Sequence, residues 1–176
     1  MIIRRFAIAA LALGLSAGVG AQQAAFVSDS PSPLKQSGEI PPNETTFSGE
    51  VRISGHFVVL REPGTEGAPN YYRVLLQPDA SSRAVLPYDA SRGPVSEIWL
   101  RDTSNALTLL LSSDQRKALR RADVQRMSGF VTVVITSYRT GIDCDQRGYN
   151  AILARVVRPP SDVVVSRVVD QFAGGC

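Results

Sequence analysis

The sequence has few of the residues that most often carry catalysis or bind transition metals. Its 176 residues include two cysteines, one histidine and one tryptophan. Zinc binding would need more histidine and cysteine than this. The lone histidine, His56, follows Gly55 in an apolar stretch with no nucleophile motif beside it. We therefore favour a structural or exposed histidine over a catalytic base.

Motifs for nucleophilic catalysis and for calcium are missing too. No G-x-S-x-G sequence occurs in the strand-turn-helix context that a nucleophile elbow needs. Asp143, Asp145 and Asn150 offer oxygen ligands, but three are too few for calcium and their spacing does not match an EF-hand. We predict no metal, no cofactor and no enzymatic activity, and interpret the two aspartates as groups that keep a loop hydrated.

The one long apolar run lies near the N-terminus. Arg4 and Arg5 precede the apolar run Ala7–Leu15, and the small residues before Gln22, which end at Ala21, suit a cleavage site. This arrangement predicts a secretory signal peptide over 1–21. The run is much shorter than the roughly 20 apolar residues that span a bilayer, so we expect no transmembrane segment in the mature chain. The predicted location is the bacterial periplasm or the medium.

Excess charge of either sign is also missing once the signal peptide is removed. The net charge of +3 includes Arg4 and Arg5, so the remainder has seventeen basic and sixteen acidic residues. A nearly neutral, exported domain lacks the clustered basic footprint of nucleic-acid-binding proteins. We therefore expect no nucleic acid among its partners.

The two cysteines, Cys144 and Cys176, form an even pair in a chain predicted to be exported. Such a pair most often forms a disulfide. In the chain-entropy model, closing this loop stabilises the fold by about 3 to 4 kcal/mol. A free pair and an intermolecular bond through Cys176 are the alternatives.

A change in composition near Phe47 divides the mature chain. Residues 22–46 contain four prolines and little apolar periodicity, which predicts a disordered or extended arm. Residues 47–176 predict a single β domain with a C-terminal strand and tail. The predicted strands are Val51–Leu60 with a bend or bulge at Gly55, Tyr71–Leu76, Val95–Leu100, Phe130–Tyr138, Tyr149–Val157 and Val163–Val169, with a short extended piece at Ala84–Leu86.

One helix is expected between the third and fourth strands. Ser112 and Gln115 have the spacing of a capping box, and good helix formers follow, so we predict a helix over 113–124. Ala106–Leu111 is compatible with either sheet or helix. We expect Pro159 and Pro160 to stop the strand that begins at Tyr149.

The order of three strands, helix and two strands is that of the oligonucleotide/oligosaccharide-binding (OB) fold, a five-stranded Greek-key barrel. Residues 47–157 resemble a small bacterial family of exported OB-like domains of unknown function. The matching features are Phe47–Val51, Tyr72–Leu76, Met127–Val131 and the Asp143–Asp145 loop before Tyr149. The resemblance implies an OB-like build and export, and it implies no active site.

The binding candidates are Tyr71, Tyr72, Arg73, Trp99, Arg116 and Arg120. We interpret the basic helix face that holds the last two chiefly as a solvated surface. The favoured hypothesis is a binding module that engages an envelope or secreted protein, as an inhibitor, immunity protein or assembly factor does. A barrel that binds a small molecule or glycan is the alternative, and an unrecognised enzyme is the third. The sequence leaves the oligomeric state open.

Overall fold

A computed structural model describes residues 25–40, 43–64, 69–143 and 146–167, with the backbone alone for residues 143 and 146. The predicted signal peptide, Cys144, Cys176 and the end of the Val163–Val169 run lie outside the described residues.

The described residues form a mainly β protein with nine strands and three short helices. The strands are β1 Phe26–Val27, β2 Lys35–Ile40, β3 Glu44–Ser48, β4 Glu50–Glu62, β5 Tyr71–Pro78, β6 Tyr88–Asp89, β7 Ile98–Leu100, β8 Arg126–Asp143 and β9 Gln146–Ser166. The helices are α1 Ala80–Ala84, α2 Thr103–Leu110 and α3 Ser113–Leu119. There are thus more strands than the five of the expected OB-like barrel. None of the described helices is long and apolar enough to cross a membrane.

Seven strands belong to one sheet, in the order β2-β3-β8-β4-β5-β7-β9, while β1 and β6 pair separately. All neighbours are antiparallel except β7 and β9, which are parallel. Strand β9 also pairs with β8. Following the pairings from β8 through β4, β5, β7 and β9 therefore leads back to β8.

The long strand β4 passes through Gly55 without a break in register. Gly55 pairs with Pro78 of β5 on one side and with Val131 of β8 on the other. A Cβ at this position would lie 2.2 Å from the carbonyl oxygen of Gln77. Glycine is therefore required by the close approach of β5, and the ladders contain no bulge here.

The prediction that two prolines end a strand was wrong. Strand β9 continues to Ser166 because Pro159 and Pro160 lie in an irregular part of the β8–β9 ladder. Thr132 pairs with Arg158 and Phe130 pairs with Ser161, so one residue of β8 faces two prolines. A bulge leaves residues unpaired, and proline has no N–H to lose there.

The capping box predicted for α3 is present. The Gln115 amide donates to Ser112 Oγ at 3.2 Å, and the Ser112 amide donates to Gln115 Oε1 at 2.8 Å. The helix ends at Leu119, earlier than expected, because tight turns bring Val124 into the core at the entry to β8. Two helices, α2 and α3, thus occupy the interval where one was expected.

Two other local predictions differ from the structure. The extended piece expected at Ala84–Leu86 is not formed, because Ala84 is the last residue of α1 and Val85 is its helical C-cap; Asp79 caps the other end by accepting from the Ser82 amide at 2.8 Å. The third predicted strand is shortened to Ile98–Leu100, since pairing with β5 involves only Ile98 and Trp99.

The described part of the predicted arm is neither disordered nor separate from the domain, because it pairs with the sheet and packs against the core. Strand β2 pairs with β3, and β3 pairs with β8. Leu34 is buried in the core, and the Phe26 ring packs edge-on against Phe47 at 5.4 Å between centroids. Strand β2 is largely exposed, so its side chains carry no apolar pattern that would reveal it in the sequence.

A buried ion pair connects β6 with the beginning of β9. Arg147 Nε lies 2.8 Å from Asp89 Oδ2, and the two side chains are only 7% and 6% exposed. Asp89 Oδ1 accepts from the Ser91 amide and hydroxyl, while Arg147 donates to Thr140 Oγ1 at 3.2 Å. The Arg147 guanidinium also lies 5.3 Å from the centre of the Phe26 ring, so a cation–π contact connects β1 to this ion pair.

Candidate functional site

The outer face of β5 carries part of the predicted binding site. Alternation along the strand turns Tyr72 toward the core and Tyr71 and Arg73 to the other side. Trp99 of β7 pairs with Leu75, two residues beyond Arg73. Glu62, at the end of β4, pairs with Tyr71 across the hairpin. We call Glu62, Tyr71, Arg73 and Trp99 the aromatic–arginine surface.

Glu62 organises this surface. Its Oε2 accepts a hydrogen bond from the Tyr71 hydroxyl and another from Arg73 Nη2 at 3.1 Å. Arg73 Nε lies 3.1 Å from Glu62 Oε1, which makes the contact two-pronged. The hydrogen bond to the Glu62 carboxylate raises the pKa of Tyr71 above its ordinary value. Tyr71 is therefore a neutral hydroxyl at physiological pH.

The two aromatic side chains combine fixed position with accessibility. Tyr71 is 50% exposed and Trp99 is 49% exposed. The Arg73 guanidinium lies 5.9 Å from the centre of the Trp99 ring, within cation–π range. Leu75 and Val58, which lie beside Trp99 in the cross-strand register, are buried. The surface thus has a packed base and accessible rings.

The other three candidates from the sequence do not join this surface. Tyr72 packs against the core and donates to the Leu119 carbonyl at 3.3 Å, which links β5 to the end of α3. Arg116 donates to the carbonyls of Leu111 and Thr108 at 2.6 and 3.3 Å and so caps the end of α2. Arg120 is exposed at the C-terminal end of α3.

Glu62 was missed in the sequence because Glu62-Pro63-Gly64 has the composition of a turn. Its role follows from the hairpin register, since the residue that pairs with Tyr71 also lies within reach of Arg73 two positions on. Recognising it would have required the register of β4 against β5 as well as the ends of both strands.

His56 does not belong to a metal-binding group within the described ranges. His56 is exposed, and its ring packs edge-on against Phe130 at 5.4 Å between centroids. Among the residues that the structure describes, no group of three or more histidine, cysteine, aspartate or glutamate side chains is arranged to hold a metal ion.

A pocket of about 380 Å³ lies elsewhere on the molecule, between the β2–β3 hairpin and β8. Arg101 and Arg139 line it together with hydroxyl-bearing residues, and Trp99, Tyr71 and Tyr72 do not. No sequence pattern indicates this pocket, because its walls come from segments as distant as Thr46, Arg101 and Ser137.

Comparisons of the chain with protein-family models, with curated proteins and with solved structures give no match.

Proposed function

We propose that the protein is an exported, non-enzymatic binding module of the bacterial cell envelope. It engages another protein through the aromatic–arginine surface, as an inhibitor, immunity protein or assembly factor does. The observation that carries this proposal is the pair of half-exposed rings, Tyr71 and Trp99, on either side of an arginine fixed by Glu62.

The residue types support a protein partner. Tryptophan, tyrosine and arginine are the side chains that most often dominate binding energy at protein interfaces. Glu62 holds Tyr71 and Arg73 in place before a partner arrives, which reduces the conformational entropy lost on binding. The same contact neutralises the Arg73 charge, so we expect an apolar or aromatic side chain of the partner over Trp99.

We further propose that β4, β5, β7, β8 and β9 form an OB-like Greek-key barrel. The return of the pairings to β8, the parallel β7–β9 pair and the helices between β7 and β8 support this arrangement. Tyr71, Arg73 and Trp99 of the aromatic–arginine surface then lie on the second and third barrel strands, the face with which OB folds bind their ligands. The near-neutral charge favours protein over nucleic acid on this face.

Affinity capture from an envelope extract of the source organism tests the proposed function. The wild-type chain should retain one stoichiometric protein, identified by mass spectrometry. Trp99→Ala and Arg73→Ala should each weaken that complex about 30-fold or more, which corresponds to the roughly 2 kcal/mol of an interface hot spot. Arg120→Ala, which removes an exposed arginine outside the surface, is the matched control and should bind as the wild type does.

Two outcomes would contradict the proposal. A partner that binds the Trp99→Ala and Arg73→Ala variants as tightly as the wild type would assign the interface to another face. Recovery of glycans or small molecules with no protein would favour the alternative of a ligand-binding barrel, in which Trp99 provides a stacking platform for a sugar ring.

A further inference from the structure

The pocket between the β2–β3 hairpin and β8 lies where β8 exchanges one partner strand for another. Strand β3 pairs with β8 as far as Thr46 and Arg139, and β4 begins pairing at Glu50 and Thr136. Between these points Ser137 has a φ of 49°, a conformation that non-glycine residues rarely adopt. Such backbone strain is concentrated at functional sites in proteins.

The two arginines of this pocket differ in how their charge is balanced. Arg139 Nη1 lies 2.7 Å from Glu44 Oε1, so a carboxylate neutralises it. Arg101 Nη2 donates to the Ser137 carbonyl at 2.9 Å, and no carboxylate among the described residues forms an ion pair with Arg101. Arg101 is therefore the better candidate for pairing with a bound anion.

The Arg101 charge has no acidic partner among the described residues, which favours an anionic ligand. A carboxylate suits it, because carboxylate oxygens accept strong hydrogen bonds from guanidinium N–H groups. The rest of the lining is rich in hydroxyls, and those of Thr46, Ser48 and Thr136, which donate to backbone carbonyls, can still accept hydrogen bonds from a ligand. The lining hydroxyls belong to Ser37, Thr46, Ser48, Thr136 and Ser137. A volume of about 380 Å³ suits a small ligand.

We propose that this pocket binds a small polyhydroxylated carboxylate, that is, a sugar acid, with Arg101 as the residue that binds its carboxylate. The hydroxyl groups of the ligand meet the serine and threonine hydroxyls of the wall. Such a group occurs both as a free acid and as a uronic acid unit of an acidic polysaccharide. The site is separate from the aromatic–arginine surface, so either proposal can fail without the other.

Titration of the ¹⁵N-labelled protein, followed by NMR, tests the site with D-galacturonate as the probe and D-galactose as its neutral match. Galacturonate should shift the amide signals of Gly49 and Ser137 and the Nε–H signal of Arg101 in a saturable way. Galactose should bind at least tenfold more weakly. Higher salt should weaken galacturonate binding, because the contact is between charges.

Substitutions separate the role of Arg101 from general effects on the fold. Arg101→Gln should weaken galacturonate binding at least tenfold, and Arg101→Lys, which keeps the charge without the planar fork, should give an intermediate loss. The matched control is Arg155→Gln, because Arg155 forms an exposed ion pair with Glu50 on a neighbouring stretch of sheet. It should leave binding unchanged.

The comparison of galacturonate with galactose in the wild type needs no variant, so the proposal stays testable if Arg101→Gln does not fold. Absence of saturable shifts, equal binding of the two sugars, or unchanged binding in folded Arg101→Gln would overturn it. Trigalacturonate distinguishes the sources within a supported proposal. If trigalacturonate binds more tightly than galacturonate, the natural ligand is a polysaccharide. If the two bind equally, the natural ligand is a free sugar acid.

Discussion

Replacing Asp89 by asparagine should destabilise the protein far more than the loss of an exposed ion pair. The substitution keeps the shape of the side chain and removes its charge. Arg147, only 7% exposed, then keeps Thr140 Oγ1 and the face of the Phe26 ring as its neighbours, and neither balances its charge. Removing one member of a buried pair costs about 3–5 kcal/mol, because the other charge is left uncompensated.

The double variant measures the coupling between the Asp89 and Arg147 charges. Arg147→Met leaves the Asp89 carboxylate with its two hydrogen bonds from Ser91 and with the charge of Arg92 nearby, so it should also destabilise the fold, but by less. Combining the two substitutions removes both charges, so the total loss should be at least about 1.5 kcal/mol less than the sum of the single losses. The matched control is Arg155→Gln, whose pair with Glu50 is 58% and 53% exposed and should contribute about 0–1 kcal/mol.

Urea denaturation followed by circular dichroism measures these free energies of unfolding. The expected loss for Asp89→Asn is a large fraction of the roughly 5–15 kcal/mol by which domains are stable. A loss below about 1 kcal/mol for Asp89→Asn, or strict additivity in the double variant, would refute the assignment of this pair as a buried, coupled contact.

The same pair predicts how stability depends on pH. Burial raises the pKa of Asp89, but the hydrogen bonds from Ser91 and the charge of Arg147 outweigh it, so the pKa lies below its ordinary value of 3.8. A depressed carboxyl pKa stabilises the fold above the unfolded-state pKa, and this stabilisation is lost as the pH falls through the folded-state value. Acid denaturation of Asp89→Asn should therefore have a shallower pH dependence than that of the wild type below about pH 4.

Three further changes have expected outcomes. Gly55→Ala should lower the free energy of unfolding by about 1–3 kcal/mol in urea melts, because its Cβ meets backbone, whereas a Cβ at Gly148 has open space and its alanine variant serves as control. Ser112→Ala should cost about 1 kcal/mol in the same assay through loss of the capping box, and an unchanged midpoint would argue against that role. Glu62→Gln should return the Tyr71 pKa toward its ordinary value in a ¹³C NMR titration of the tyrosine ring, since the carboxylate is what raises it.

Features fixed by near neighbours in the chain were predictable from the sequence. The capping box of α3 was found because Ser112 and Gln115 interact over three residues. The mainly β character followed from β-branched alternation in segments such as Phe130–Tyr138, which β8 contains. These signals depend on local geometry and need no knowledge of the partner strand.

Features that depend on the register between distant strands were not predictable. The prolines of β9 are tolerated because β8 places one residue opposite two, which is a property of the pair. Tyr71, Arg73 and Trp99 were selected for their chemistry, but Glu62 became visible only through its position across from Tyr71. Predicting the Arg101 pocket would have required the relative positions of three separate parts of the chain, because each of them contributes to its walls.

The pairing of β9 with both β8 and β7 sets a condition on how the protein is made. Strand β9 extends to Ser166, and its partners around Trp99 belong to a segment some fifty residues earlier. A nascent chain that has not yet released β9 from the ribosome cannot complete the sheet, and such non-local pairing forms slowly. During synthesis the apolar strands of the sheet therefore remain exposed until β9 has emerged from the ribosome.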